Sequence, residues 1–378
     1  MWDRMWTLFE RVIAFDTSPV VGTHRVARDD PRLTAFCAEV ARPELERLGA
    51  EIAQDAAGNL IGTFGDRTGD ELLLVAYPAC HHANEMVEPL RALATSVDGR
   101  MYWSGQGASE GKAPFVAMVE ALTRCREHDV TLAGRVVVAV NTEGSSTNAS
   151  SDVMFDELDV APAGVALMIG TENRIALGHR GRADVIVTTS GVTRHSSVAA
   201  GQPSAITEIC LAEHRVATFA RQWSGGGPDG MGRSITPYRL VCGPVAPHTM
   251  PGRCELALDC RFLPGDDIDL LRDQIDEAID LSTAEVMIGP TMLPAATDPS
   301  SDLVIRFVEA VRRAGLSGDT FVPAWTFDAG AAASRGLPVV LFGPSSDNTA
   351  HIDGADAVDA EQLDRAVVTL AEVIRAWA

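Results

Sequence analysis

Gly105-Gln106-Gly107-Ala108-Ser109-Glu110-Gly111-Lys112 is the stretch on which the fold turns. It leads into residues 114–126, which predict a helix, and then into the apolar run 135–140, which predicts a strand. That strand ends at Asn141-Thr142-Glu143-Gly144-Ser145-Ser146. Another apolar run, 339–342, ends at Gly343-Pro344 and is followed by Ala350-His351. Acids and a histidine therefore follow predicted strands, and strand ends are where open α/β sheets bind their ligands.

Outward from these stretches the chain keeps an α/β rhythm. Trp2, Met5, Trp6, Phe9, Val12 and Ile13 recur at helical spacing, and Asp16-Thr17-Ser18-Pro19 ends that helix. Leu33, Phe36, Val40, Leu45 and Leu48 predict a second helix before Gly49, interrupted or kinked near Pro43. Strands are predicted over 59–64, 72–76 and 165–169. Near Arg174 the pattern changes. Strand-like residues 175–189, a helix over 204–221, strands near 238–242 and 254–262 and a helix over 267–281 read as a small α+β sandwich of β-α-β-β-α-β order. After Pro290 the α/β pattern resumes with a helix over 303–314, the strand 339–342 and a helix over 360–377. The small domain is thus expected to be inserted into the larger one, with boundaries at 1–174 plus 292–378 and at 175–291.

A chain of 378 residues has room for two domains and a large core. Hydrophobic residues make up 46% and charged residues 22%, an ordinary globular mixture. No apolar run reaches membrane-spanning length, and Met1-Trp2-Asp3-Arg4-Met5-Trp6 does not look like the start of a signal peptide. Seven scattered cysteines without CxxC spacing predict reduced, mostly buried thiols and a cytoplasmic protein. The net charge of −21 argues against nucleic acid or an anionic membrane as a partner.

The three stretches, together with Asp55-Ala56-Ala57-Gly58-Asn59-Leu60, Gly178-His179-Arg180-Gly181, Arg194-His195-Ser196-Ser197 and Leu258-Asp259-Cys260-Arg261, are colinear with a known pattern. The chain resembles the co-catalytic zinc exopeptidase/deacylase family, which includes acetylornithine deacetylase, succinyl-diaminopimelate desuccinylase, carboxypeptidase G and amino-group-carrier lysine/ornithine hydrolases. The resemblance implies an α/β fold with a zinc-exopeptidase-like mixed sheet flanked by helices. It also implies an inserted α+β (ferredoxin-like) domain through which two copies form a homodimer.

What the resemblance implies for the metals is a loss. The family binds two zinc ions through a His-x-Asp motif, a bridging aspartate, a Glu-Glu pair, a Gly-Glu-Pro type acid and a late histidine. Here Tyr77 and Ala79 stand at His-x-Asp, Glu110 stands at the bridging position, and Thr142 replaces the general base. Glu143 keeps the second glutamate, Thr171 falls at the Gly-Glu-Pro acid with Glu172 beside it, and His351 keeps the last ligand. Every ligand private to the first metal is replaced, and those of the second remain acidic or imidazole. Phenol and hydroxyl groups are poor zinc ligands near neutral pH, so no metal pair is expected. The cofactor is none or one zinc ion; a single ion would be held by Glu110, Glu143 and His351.

Glu110, Glu143, His351 and His195 are the catalytic candidates. In the family the small-domain histidine matched by His195 reaches the partner subunit's site. Tyr77, Thr142, Asp328 and Lys112 are the substrate-binding candidates. Cys80-His81-His82 reads as a plain loop, because adjacent histidines on an extended chain point opposite ways. Two close glutamates would leave one protonated near neutral pH, supplying an acid and a base. Three functions follow. The first is a repurposed deacylase-fold enzyme acting on an amino-acid-derived amine by carboxylate acid/base chemistry, non-hydrolytic, such as ring closure or transfer. The others are a single-zinc amide hydrolase and a non-catalytic pseudoenzyme binding a ligand or partner subunit. Gly111-Lys112-Ala113-Pro114 resembles the Ala-Lys-Gly-Pro of carrier hydrolases, which brings an acidic carrier protein bearing lysine or ornithine among the partners.

Overall fold

The computed structural model describes residues 2–20, 26, 30–65, 70–83, 86–128, 130, 135–143, 147–159, 161–227, 232–344, 351–352 and 355–377. The chain divides into two compact units, one of residues 1–179, 295–323 and 327–378, the other of residues 180–294 and 324–326.

The larger unit is built on an eight-stranded sheet. Its order is Glu51–Gln54, Leu60–Phe64, Arg135–Val140, Glu71–Ala76, Gly164–Met168, Val339–Phe342, Ile175–Ala176 and Thr320–Phe321. The strands Arg135–Val140, Glu71–Ala76, Gly164–Met168 and Val339–Phe342 are mutually parallel, while Leu60–Phe64 pairs antiparallel with Arg135–Val140. The sheet is therefore mixed, as the family resemblance implied. Both faces of the central strands are buried: Leu72, Leu74, Val136 and Val138 on one side, Leu73, Val75, Val137 and Ala139 on the other. This is why these strands read as continuous apolar runs rather than alternating ones. The first set joins one core with helices Trp2–Ile13, Ala113–Glu127, Asp302–Arg313 and Ala360–Ala376. Four parallel strands place four C-terminal ends at one edge, where Tyr77, Asn141, Ile169 and Gly343 emerge.

One local expectation changes. Trp2 is 41% exposed and meets Trp103 edge-on, so it is not the core residue its helical spacing suggested. The second helix is interrupted just before Pro43. It passes from Pro31–Phe36 through a π-turn at Cys37–Ala41 into Arg42–Arg47, with the Arg42 N–H reaching the Cys37 carbonyl. The wider turn accommodates Pro43, which has no N–H to give.

The smaller unit runs β-α-β-β-α-β. Its antiparallel sheet has the order Ser234–Gly243, Arg253–Phe262, Gly181–Ser190, Ala284–Met292. Helices Ala205–Trp223 and Ile268–Ile279 cover one face, packing Ile209, Val216, Leu271 and Ile275 on Val185, Val187, Leu256 and Leu258. Their N-termini are capped by Ser204 and Asp267. The expectation of reduced thiols throughout is corrected here: Cys242 and Cys254 stand directly opposite on neighbouring strands and form a disulfide. Cys210, expected to be buried, is exposed. Its neighbours in sequence are apolar, but its place on the helix faces away from the sheet.

Candidate functional site

Tyr77 leaves the end of the Glu71–Ala76 strand and is buried. Its hydroxyl donates to Asp328 Oδ2 at 3.1 Å, and its ring lies edge-on to Phe327 with centroids 4.6 Å apart. Burial and the neighbouring Asp328 carboxylate push the phenol well above its usual range, so it stays a neutral donor. Asp328 is buried too. Asn148 Nδ2 donates to its Oδ1 at 2.5 Å, and the Ser151 hydroxyl donates to its Oδ2. Asn141 Nδ2 in turn donates to Ser151 Oγ at 2.8 Å. Burial raises the Asp328 carboxyl to about 7 against the pull of these three donors, and the Glu143 charge adds to the rise.

Glu143 follows the Arg135–Val140 strand. Its Oε2 accepts the Ser150 N–H at 2.8 Å, and its Oε1 accepts the Thr147 hydroxyl. Ser150 lies in the first turn of helix Ala149–Glu157, so the carboxylate meets a free helix N–H and the positive end of the helix dipole. Thr142 is held by Asn59, whose Oδ1 accepts the Thr142 N–H at 2.9 Å. The Thr142 hydroxyl faces that oxygen at 3.3 Å and the Ala57 carbonyl at 3.4 Å. Asn59 also donates to Asp55 and to the Ser150 carbonyl, which ties the loop 55–59 to the site. Thr171 closes a backbone turn: its hydroxyl donates to the Arg174 carbonyl at 2.7 Å and accepts the Gly343 N–H at 3.1 Å. Glu172 stands in the same turn with φ of 56° and is exposed.

Glu110 lies in a π-turn, Ala108–Lys112, and is partly exposed; both its oxygens accept from the His81 N–H, at 3.1 and 3.3 Å. Lys112 is fully buried and donates from Nζ to the Phe15 carbonyl at 2.7 Å. Burial lowers its pKa, opposed by the charges of Cys80, Asp356, Asp16 and Glu110. The His351 backbone pairs with Asp356, but its side chain lies outside the described residues. His195 belongs to the smaller unit, is exposed, and holds Ser197 Oγ at 2.8 Å from Nδ1.

The sequence pattern of peptidase family M20/M25/M40 matches residues 77–376, more than half of the chain. The chain belongs to this family. It is 24% identical over 330 residues to a proposed LysW-lysine/LysW-ornithine hydrolase of Pyrobaculum aerophilum, covering 86% of this chain and 87% of that protein. A protein of the same name from Aeropyrum pernix is 23% identical over 317 residues, covering 82% of each. Among solved structures, a tripeptidase from Staphylococcus aureus shares the fold with a TM-score of 0.77 at 16% identity, over 99% of this chain and 97% of that one. An M20 metallo-carboxypeptidase from Sulfolobus solfataricus does so with a TM-score of 0.76 at 14% identity, over 100% and 99%. These likenesses support hydrolase ancestry and lend none to ring closure or transfer.

Within the M20 frame, the residues at the first metal's positions do not fit a metal pair. Tyr77 spends its hydroxyl on Asp328, and Thr171 spends its own inside a turn. Among the described residues no three His, Cys, Asp or Glu side chains gather to hold an ion. The structure joins Tyr77 to Asp328, sets Glu143 near them, and holds Glu110 against the His81 N–H. Asn59, Asn141, Asn148, Ser150 and Ser151 are the participants that sequence reading gave no role. Asn148, Ser150 and Ser151 leave a trace in the sequence as a run of small polar residues from Ser145 to Ser151, while Asn59 and Asn141 stand inside the stretches that carry the family resemblance.

Proposed function

We propose that this M20 member works at the amide of a lysine- or ornithine-type amine borne on a carrier protein, through carboxylates and without a metal pair. The observation that supports this reading is the Tyr77–Asp328 hydrogen bond: the residue that the resemblance sets at a first-zinc ligand position spends its neutral hydroxyl on a carboxyl. Glu110 is the acid that reaches solvent, and Glu143 is the second carboxylate; moving a proton on and off the amide nitrogen needs such groups. Hydrolysis is the reaction to expect, since the relatives bear hydrolase names. The test is incubation of lysine-loaded carrier protein with the enzyme in ¹⁸O-water. We expect one ¹⁸O in the released carboxylate and at least about 100-fold slower turnover in Glu110→Gln, the usual scale for loss of an acid/base group. Amine product without ¹⁸O means closure or transfer instead, and no product with tight carrier binding means a pseudoenzyme.

A single-zinc hydrolase is the second reading, favoured by retention of Glu110, Glu143 and His351 at three ligand positions. Three protein ligands suffice for a catalytic zinc. Metal analysis separates the readings: one zinc per chain that is lost together with activity supports the second, and two per chain overturns both.

The homodimer belongs to the same proposal. Strand Ser234–Gly243 stands at the edge of its sheet and exposes Tyr238, Leu240 and Val241, a surface suited to strand pairing with a second copy. A monomer in sedimentation at tens of micromolar, on the order expected for a stable dimer's working range, would remove it.

A further inference from the structure

Asp356 is buried, and both of its carboxylate oxygens accept backbone N–H groups. Oδ2 accepts the Gly107 N–H at 2.7 Å and Oδ1 accepts the Ser109 N–H at 2.6 Å. Its carbonyl takes the Gly105 N–H at 2.9 Å, and the next residue, Ala357, pairs with Ser104. One residue thus satisfies the alternate N–H donors of Gly105, Gly107 and Ser109 in the loop that presents Glu110. That loop has a demanding path: Gly107 has φ of 82°, and a Cβ there would lie 2.8 Å from Cys80 Cβ. The N–H groups of a left-handed turn point together into a concavity that favours an anion, and Asp356 supplies it from another part of the chain. Asp356 is also the strand partner of His351. The hairpin carrying the late histidine and the loop carrying the early glutamate are therefore joined through one side chain.

We propose that Asp356 is a positioning residue that sets Glu110 against the His81 N–H and keeps the Glu110 loop in register with the His351 hairpin. Its catalytic consequence rests on the reading of Glu110 given above. Asparagine has nearly the same shape but only one acceptor oxygen; its amide group would face a backbone N–H, donor against donor. Glutamate keeps both acceptors at the cost of an extra methylene.

The test uses the full chain. Residue-resolved hydrogen exchange is measured for wild type, Asp356→Asn, Asp356→Glu and Leu45→Ala, the last a core-weakening control. In Asp356→Asn the amides of Gly107, Ser109 and His81 should exchange about 10- to 100-fold faster, the scale of losing a charge-assisted hydrogen bond. Asp356→Glu should restore much of the protection, and Leu45→Ala should not single out these amides. The His81 amide is the decisive readout, because its partner is Glu110 and not Asp356. Unchanged His81 protection in Asp356→Asn overturns the proposal, as does equal loss in the Leu45→Ala control. If Asp356→Asn does not fold, Asp356→Glu against wild type reads the same amide, and wild-type protection of Gly107 and Ser109 no greater than that of exposed loops overturns it. Turnover of lysine-loaded carrier protein is compared in parallel. Full activity in Glu110→Gln removes the catalytic reading of Glu110 and leaves the positioning claim to the exchange data.

Discussion

The stability contributed by the Asp328 carboxyl should fall by about 4 kcal/mol as pH rises from about 4 to above 7, and Asp328→Asn should remove that part of the slope. Asp328 is raised to about 7 by burial, whereas an unfolded aspartate titrates near its ordinary value. Between those two values the folded state holds a proton that the unfolded state has released. The unfolded state therefore binds fewer protons, and stability drops with each step upward in pH until Asp328 ionises. Above the folded value the loss is complete and the curve flattens. Asp16, Asp30 and Asp266 have lowered values and act in the opposite sense, losing their stabilisation only as pH falls through the acid range. Their contribution lies below the window. Denaturant melts of wild type and Asp328→Asn at several pH values between 5 and 8 read the difference directly. Asparagine keeps an oxygen for Asn148, and its amide can donate to the Tyr77 or Ser151 oxygen once those hydroxyls turn; any resulting cost does not depend on pH. Parallel curves for the two proteins would show that Asp328 ionises freely where it lies.

Gly111→Ala should be among the most damaging single substitutions outside the core, costing about 3 kcal/mol or preventing folding. A Cβ at position 111 would lie 1.9 Å from the Tyr77 carbonyl oxygen and 3.0 Å from its carbon. Both are backbone atoms at the end of a central strand, so no flexible side chain can move aside. The π-turn would have to retreat, taking Glu110 away from the His81 N–H while leaving Tyr77 in place. In the folded fraction, activity should fall further than stability alone explains. A chemical melt gives the first quantity, and turnover per folded molecule gives the second. A variant with wild-type stability would mean that the turn and the strand end are not in contact.

Much of the framework could be read before folding is considered. The apolar runs that became Arg135–Val140 and Val339–Phe342 were legible because a strand buried on both faces needs nearly every residue apolar. The chemistry of Tyr77 and Thr171 was equally local, since a tyrosine or threonine at a given position declares its donor group by itself. The second helix and Trp2 were harder. A π-turn obeys no simple period, and apolar spacing does not say how far a helix end protrudes from the core.

The arrangement of the site is a different matter. Tyr77 and Asp328 are 251 residues apart, and nothing in either neighbourhood announces that they meet. They meet because parallel strands deliver their ends to one edge, where the turn before helix Ala329–Ala333 comes to lie against them. The same holds for Cys242 and Cys254, opposed only through strand register, and for Asp356, whose anionic role depends on a loop that lies far off in sequence. The carboxyl raised to about 7 is Asp328, to which the sequence by itself gave only a substrate-binding place. Residue identity alone determined the fold. Which acid gives up its charge was decided by tertiary structure, because desolvation arises only when distant segments close over a group and exclude water.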